Sequence, residues 1–331
     1  MNNEILGLLK IAVDKREKLT KTTNTVRLVN GASDDLDGLV LEKHNKHFVA
    51  QIFSKKWLGE KETLINFVKN DCGGVYFIIK DRTESASSKK DAFKSEIWIS
   101  NWIVGSSPTM TEKNLGDSKT VVLENGLKFE VDMNDGLNTG LFLDMRRNRE
   151  IIKRLSAGKK VLNLFAYTCS FGVYARSGGA SNVVNVDISK KILNRGKINY
   201  ELNGILPEKN EFTVFDSVEY LKIAVKKNNL FDIIIIDPPS FSTHNGKVFS
   251  VKKDLPVLID MSLKILNDGG YLFVATNFSE ISADDLKNMV TASTFGGSRI
   301  KKMTILGQDE DFREDGSLRK ESYLAAILVG V

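Results

Sequence analysis

Between residues 160 and 276 the chain alternates in a way few folds accommodate. Five apolar runs of strand length, VLNLF (161–165), NVVNVD (182–187), EFTVF (211–215), FDIIIID (231–237) and YLFVAT (271–276), are separated by amphipathic segments long enough for helices. Runs that are apolar on both sides need cover on both faces, and strand–helix–strand crossovers supply it. This half is therefore expected to be α/β, a doubly wound and mostly parallel sheet. RIKKMTIL (299–306) and SYLAAILVGV (322–331) bring the count to seven strands. With no helical pattern between them, those two read as a closing antiparallel pair.

Upstream the rhythm is mixed. Ile5, Leu8, Leu9, Ala12 and Val13 recur at helical spacing over 3–19,. VRLVN (26–30), GLVLEKH (38–44), HFVAQIF (47–53), VYFIIKD (75–81) and EIWISNW (96–102) read as strands, 57–69 as a helix and TESASSKKD (83–91) as an exposed loop,. A Gly/Ser/Pro/Thr-rich stretch at 104–119 marks the expected boundary, and VVLENGLKFEVD (121–132) a hairpin turning at Asn125-Gly126,. The expected organisation is a helical extension over 1–22, a small α+β substrate-recognition domain over 23–119, and a larger domain over 120–331 led by the hairpin.

Composition narrows the function classes. Among 331 residues, 47 Lys and Arg against 42 Asp and Glu leave a net charge of +5. That permits a nucleic-acid partner without demanding one. Two cysteines, Cys72 and Cys169, exclude a disulfide framework and a four-cysteine zinc site, and with only His44, His47 and His244 besides, no metal is expected,. The histidines are expected at the surface, His244 near the mouth of the site. No apolar run approaches the roughly 20 residues of a membrane span, and the first ten residues are too polar for a secretory signal,. A cytoplasmic protein without a membrane partner is expected.

In a doubly wound sheet the chemistry sits just past the strands' carboxyl ends. After the first strand comes Asn163-Leu-Phe-Ala-Tyr-Thr-Cys-Ser-Phe-Gly172, with one late glycine where a dinucleotide fold would carry G-x-G-x-x-G,. A pyrophosphate cofactor is disfavoured. Asp187, ending the second strand, can accept both hydroxyls of a ribose. Asp216-Ser217 can hydrogen-bond an adenine amino group or cap a helix. Asp237-Pro-Pro-Ser-Phe241 forms a rigid lip, since two prolines restrict the chain, holding an acid before them and an aromatic stacking surface after them. A ribose, an adenine and no pyrophosphate describe S-adenosyl-L-methionine.

Gly140-Leu-Phe-Leu-Asp-Met-Arg-Arg-Asn-Arg149 resembles the GxFLDxRxxR signature of a class I, Rossmann-like methyltransferase family that modifies 23S ribosomal RNA. VLNLFAYTCSFGVYARSGGASNVVNVDIS (161–189), NYELNG (199–204) and FDIIIIDPPSFS (231–242) look like its remaining motifs, and the similarity runs over roughly 25–331. The resemblance implies a cofactor site of Phe142, Asp144, Arg146, Arg149, Asn163, Phe165, Ala166, Tyr167, Thr168, Asp187, Ile188, Asn203, Asp216 and Ser217. Residues 163–168 would contribute through their backbone. It implies a catalytic lip of Asp237, Pro238, Pro239 and Phe241. Arg146 and Arg149, at i, i+3 beside Asp144, suit either a clamp or a helix-surface ion pair.

The family has a cytosine-C5 branch and a guanine-N7 branch. The first needs a thiolate that attacks cytosine C6, carried on a cysteine after the fifth strand. Here that stretch is Val274-Ala-Thr-Asn-Phe-Ser279, without cysteine, and looks closer to the guanine-N7 branch. DPPSFS and Gly307-Gln-Asp-Glu-Asp-Phe312 look closer to it as well. The expected activity is methylation of a 23S rRNA base, with guanine N7 the favoured acceptor. Cytosine C5, an exocyclic amine, a nucleotide-dependent oxidoreductase and a non-catalytic RNA-binding module are the rivals. Lys80, Arg82, Lys89, Lys90 and Lys94 are either phosphate contacts or a solvated loop.

Overall fold

The computed structural model describes residues 2–83, 95–99, 118–135, 138–244, 247–294, 299–312 and 324–331. Lys89, Lys90, Lys94 and nearly all of the 104–119 stretch lie outside them, as does the side chain of His244. By compactness the chain divides into Met1–Leu143 with Asp309–Asp315, and Asp144–Gln308 with Gly316–Val331.

In the first unit, α1 (Asn2–Lys15) and α2 (Glu17–Thr20) precede β1 (Thr25–Asn30), β2 (Leu39–His44), β3 (His47–Ile52), α3 (Lys61–Asn70), β4 (Tyr76–Asp81), β5 (Ser95–Ile99), β6 (Lys119–Glu124) and β7 (Leu127–Asp132). The first five strands form one sheet in chain order, antiparallel except for the β3/β4 pair. Its inner face carries Val26, Leu28, Leu39, Leu41, Phe48, Ala50, Ile52, Phe77 and Ile79, packed with Leu64 and Phe67 of α3 and Leu9 and Ala12 of α1. The N-terminal helix is thus part of this core rather than an extension from it. The β6/β7 hairpin turns at Asn125 (φ 49°) and Gly126 (φ 82°), the left-handed pair that a two-residue turn requires,.

Three expectations about this half need correction. The unit ends at Leu143, past the Gly/Ser-rich stretch, because the hairpin is stitched to the chain before β1: Asn24 donates its N–H to the Leu123 carbonyl, and its side chain accepts from Leu123 N–H. His44 is fully buried, its Nδ1 2.8 Å from the Thr25 hydroxyl. Lys80, read as either a phosphate contact or part of a solvated loop, is also buried, and that burial together with Arg82 lowers its ammonium pKa.

The second unit begins with α4 (Arg146–Leu155) and continues β8 (Lys160–Leu164), α5 (Ser170–Ser177), β9 (Asn182–Asp187), α6 (Lys190–Leu202), β10 (Phe212–Val214), α7 (Ser217–Lys226) and β11 (Phe231–Ile236). Then come β12 (Phe241–His244), β13 (Lys247–Ser250), α8 (Val251–Lys264), β14 (Leu266–Thr276), α9 (Ala283–Thr291), β15 (Lys302–Leu306) and β16 (Ala325–Gly330). Its seven-stranded sheet runs β10-β9-β8-β11-β14-β16-β15, parallel through β14, with β16 antiparallel to both neighbours. The class I architecture and the closing antiparallel pair are as expected, and the last strand inserts between β14 and β15. β11 sits at the centre with Ile233, Ile234, Ile235 and Ile236 wholly buried, which explains its unbroken apolar run,. The order reverses at β8/β11, so a crevice opens there at the carboxyl edge. Among the described residues no helix is long and apolar enough to cross a membrane.

Candidate active site

The loop leaving β8 is held in a shape its residues would not choose alone. Phe165 (φ 54°), Tyr167 (φ 49°) and Cys169 (φ 59°) all occupy the left-handed region. That region costs a non-glycine residue about 1–2 kcal/mol. Hydrogen bonds from outside the loop compensate. Phe165 N–H donates to the Ser217 hydroxyl (3.0 Å), Ala166 N–H to the Val186 carbonyl (2.9 Å) and Tyr167 N–H to Asp187 Oδ2 (2.9 Å). Asn199, fully buried on α6, donates its amide to the Thr168 carbonyl (3.0 Å).

Behind the loop a buried polar chain fixes the sheet's edge. Asn163 donates to Asn185 Oδ1 and Asn185 to the Tyr200 hydroxyl, each at 2.9 Å. Gly172 lies against this chain, where a Cβ would meet the Tyr200 hydroxyl at 2.7 Å and also collide with the Asn185 amide. Its lack of a side chain therefore serves packing, not a phosphate. Asn163, placed at the cofactor by the resemblance, spends its side chain in this interior network, and its backbone lies within the sheet between Asn185 of β9 and Ile235 of β11, so its expected backbone contact with the cofactor is not borne out.

Asp187 takes the Ser189 N–H on Oδ1 (2.9 Å) as well as the Tyr167 N–H on Oδ2. Burial raises its pKa, and those backbone donors pull it back. With the Ile188 N–H also directed at it, the carboxylate still has acceptor capacity for a ribose hydroxyl,. Ile188 and Phe215 beside it are both 40% exposed, an apolar pair at the ends of β9 and β10 suited to a base. Asp216 caps α7 by accepting from Glu219 N–H (2.9 Å), so the capping alternative holds for Oδ1. Ser217 secures the loop, as above. Asn203 closes α6, its amide donating to the Asn199 carbonyl (2.8 Å). The asparagine that reaches the loop is Asn199, which sequence reasoning passed over.

Across the switch point, Asp237 follows β11, and burial with the neighbouring Asp144 raises its pKa to about 7 against the opposing pull of Arg149. Asp144, Arg146 and Arg149 are all buried, and the Arg149 guanidinium lies 5.8 Å from the Tyr174 ring centroid. Buried guanidiniums on one helix face are not a solvated ion-pair ladder, which favours the clamp. Phe142 belongs to the first unit. Pro238 is buried and Pro239 exposed, and Phe241 stands 61% exposed with its ring edge-to-face with Phe278 (5.7 Å, 88°). Past the lip, β12 and β13 form a hairpin that the polar FSTH and KVFS segments had not signalled.

These groups fit S-adenosylmethionine. Asp187 suits the ribose, Ile188 and Phe215 the adenine, and the carboxylates and guanidiniums near Asp237 the charged amino-acid end. Side chains rather than glycines at 165, 167 and 169 leave no close backbone approach for a pyrophosphate.

Comparisons with known proteins agree. A family model described as S-adenosylmethionine-dependent methyltransferase matches residues 111–302. Ribosomal RNA large subunit methyltransferase I of Aeromonas salmonicida is 29% identical over 98% of this chain and 79% of its own length. Ribosomal RNA large subunit methyltransferase K of Neisseria meningitidis is 39% identical over 58% of this chain, which spans about half (53%) of that relative. The crystal structure of SMU.776 complexed with SAH superposes with a TM-score of 0.82 at 27% identity, covering 100% of this chain and 82% of that one.

Proposed function

The chain belongs to the S-adenosylmethionine-dependent methyltransferase family, and on that premise we propose that it methylates a base of 23S rRNA, with guanine N7 as the acceptor. The ribosomal substrate is suggested by relatives named as large subunit methyltransferases. The acceptor is argued from the thiols. Cys169 lies wholly buried behind the cofactor loop, against Gly196 of α6, and burial near Asp187 and Glu211 lifts its pKa well above the ordinary thiol range. Cys72 belongs to the first unit and is pushed up to about 11. Both thiols are held in the neutral form, so a reaction needing no nucleophilic residue is favoured over cytosine C5,.

Guanine N7 carries a lone pair and no proton. S-adenosylmethionine supplies an electrophilic methyl carbon, which bonds to N7 as its bond to sulfur breaks and the electron pair stays on sulfur. The protein's task is then to expose the base, hold it in line and exclude water. Phe241 offers a stacking face for the extruded base. The Pro238-Pro239 lip fixes Asp237 as an acceptor for a hydrogen on the base or on the cofactor's ammonium. RNA recognition by the first unit belongs to the same proposal. Mass spectrometry of 23S rRNA nucleosides from cells with and without the gene tests it. Loss of 7-methylguanosine is expected, and loss of 5-methylcytidine instead would overturn the acceptor assignment.

A further inference from the structure

Two loops meet at the mouth of the site through one hydrogen bond. Ser240, three residues beyond Asp237, donates its hydroxyl to Asn277 Oδ1 at 2.9 Å. Asn277 follows the last residue of β14, and its side chain is exposed beside the edge-to-face pair of Phe241 and Phe278. With its oxygen engaged by Ser240, the Asn277 amide has a defined orientation, and what it presents outward is an NH₂ group with two donors. The nearby acid is offset as well, since Glu280 pairs with Lys252 at 2.8 Å. A stacking ring and a pair of N–H donors, side by side and open to solvent, form a reader for an acceptor atom on a base edge.

We infer that Asn277, oriented by Ser240, determines base identity by donating to the O6 carbonyl of the target guanine. This rests on the guanine-N7 reading and names what enforces it. On the edge of a purine that carries N7, guanine offers O6 as an acceptor where adenine offers an N6 amino donor. A donor at O6 binds guanine, leaves N7 free for the methyl group and opposes adenine by placing two donors face to face. Ser240 acts as a positioning residue: without its hydroxyl the amide can rotate and present its oxygen, so the preference blurs.

The test uses the full chain and a 23S rRNA fragment ligated with either guanine or 2-aminopurine, which keeps N7 but lacks O6, at the mapped target position. With guanine, Asn277→Ala should lower kcat/KM about 10–100-fold, the usual worth of one base-edge contact, while S-adenosylmethionine affinity stays within about twofold. With 2-aminopurine the wild type should already show that loss, and Asn277→Ala should add nothing. Ser240→Ala should cost less than Asn277→Ala, and Ser240→Thr, which restores a hydroxyl, should recover the rate. An equal loss on both bases, or no loss on guanine, overturns the assignment of Asn277 and leaves the N7 reading standing. A product other than 7-methylguanosine overturns both. Unchanged cofactor affinity and thermal midpoint in Asn277→Ala separate either outcome from misfolding.

Discussion

Replacing Asp237 with asparagine should make the ligand-free protein more stable at mildly alkaline pH while disabling it. The folded chain holds the Asp237 carboxyl at about 7, against 3.8 for an ordinary aspartate, because burial and Asp144 oppose its charge more than Arg149 favours it. Between those two pH values the folded state keeps a proton that the unfolded chain has released. Stability therefore falls as pH rises through that window and levels off above about 7. At about 1.4 kcal/mol for each decade of proton affinity, the gap between 3.8 and about 7 sets a ceiling near 4 kcal/mol,. An asparagine still needs hydrogen-bond partners and removes a counter-charge from Arg149, so a gain of about 1–3 kcal/mol is expected, or roughly 2–10 °C in Tm. Calorimetry at about pH 8 should show that gain, and lowering the pH to about 5 should shift the difference back towards the wild type by about 2–3 kcal/mol, because roughly two decades of the titration window lie above pH 5,. A Tm difference of the same size at both pH values, or none at pH 8, would refute the reasoning that Asp237 is a strained buried charge.

The same titration should appear in the reaction. If Asp237 accepts a hydrogen bond as its anion, kcat/KM should fall towards tenfold per pH unit below about 7, and Asp237→Asn should show a low rate without that acid limb,. Neither thiol should be needed: the Cys72→Ala/Cys169→Ala double variant should retain methyl transfer, and iodoacetamide should label the native chain far more slowly than the unfolded one,. Gly172→Ala should cost about 1–3 kcal/mol in urea denaturation, because its methyl group collides with Asn185 and Tyr200,. Asn199→Ala should weaken S-adenosylmethionine binding several-fold by calorimetric titration although it only supports the loop, since the Thr168 carbonyl loses its buried donor,.

What could be read from the chain divides along the range of the interactions involved. The inner strands were legible because burial on two faces leaves a continuous apolar run, as in the four isoleucines of β11, whereas the edge strands β10 and β15 are only partly covered. Asp187 and the Asp237-Pro-Pro lip were legible because strand ends are where such a sheet places its chemistry. The start of β14 was not. It begins at Leu266, which pairs with Phe231, and then leaves register through Gly269 and Gly270, where a Cβ would come within 2.8 Å of the Asp232 carbonyl. The segment from Asp309 to Phe312 was hidden by distance. Asp311 accepts from Arg27 N–H at 2.9 Å, and the Arg27 guanidinium sits 4.1 Å above the Phe312 ring, contacts between residues 284 or more apart in the chain. Local periodicity carries no information about partners so remote. It also misplaces polar residues such as His44, whose buried ring has the Thr25 hydroxyl at Nδ1 and the Glu42 carboxylate 3.7 Å from Nε2,.

The cofactor loop shows why the candidate site was only half legible. Residues 165–169 contain no glycine, and propensity alone would forbid three left-handed residues in that short stretch. Their conformation is imposed by Ser217, Val186, Asp187 and Asn199, which belong to two other strand–helix units of the same sheet. Each donor or acceptor had a plausible local role of its own, as an N-cap, a strand residue, a ribose acceptor or a helix residue. Only the assembled sheet brings them to one edge, and there Asp187 does two things at once. It fixes the Tyr167 backbone and keeps lone pairs for a ligand, so the loop is shaped by the same carboxylate that is proposed to bind the ribose. A site built this way is preorganised by the fold, and its sequence signature is necessarily scattered.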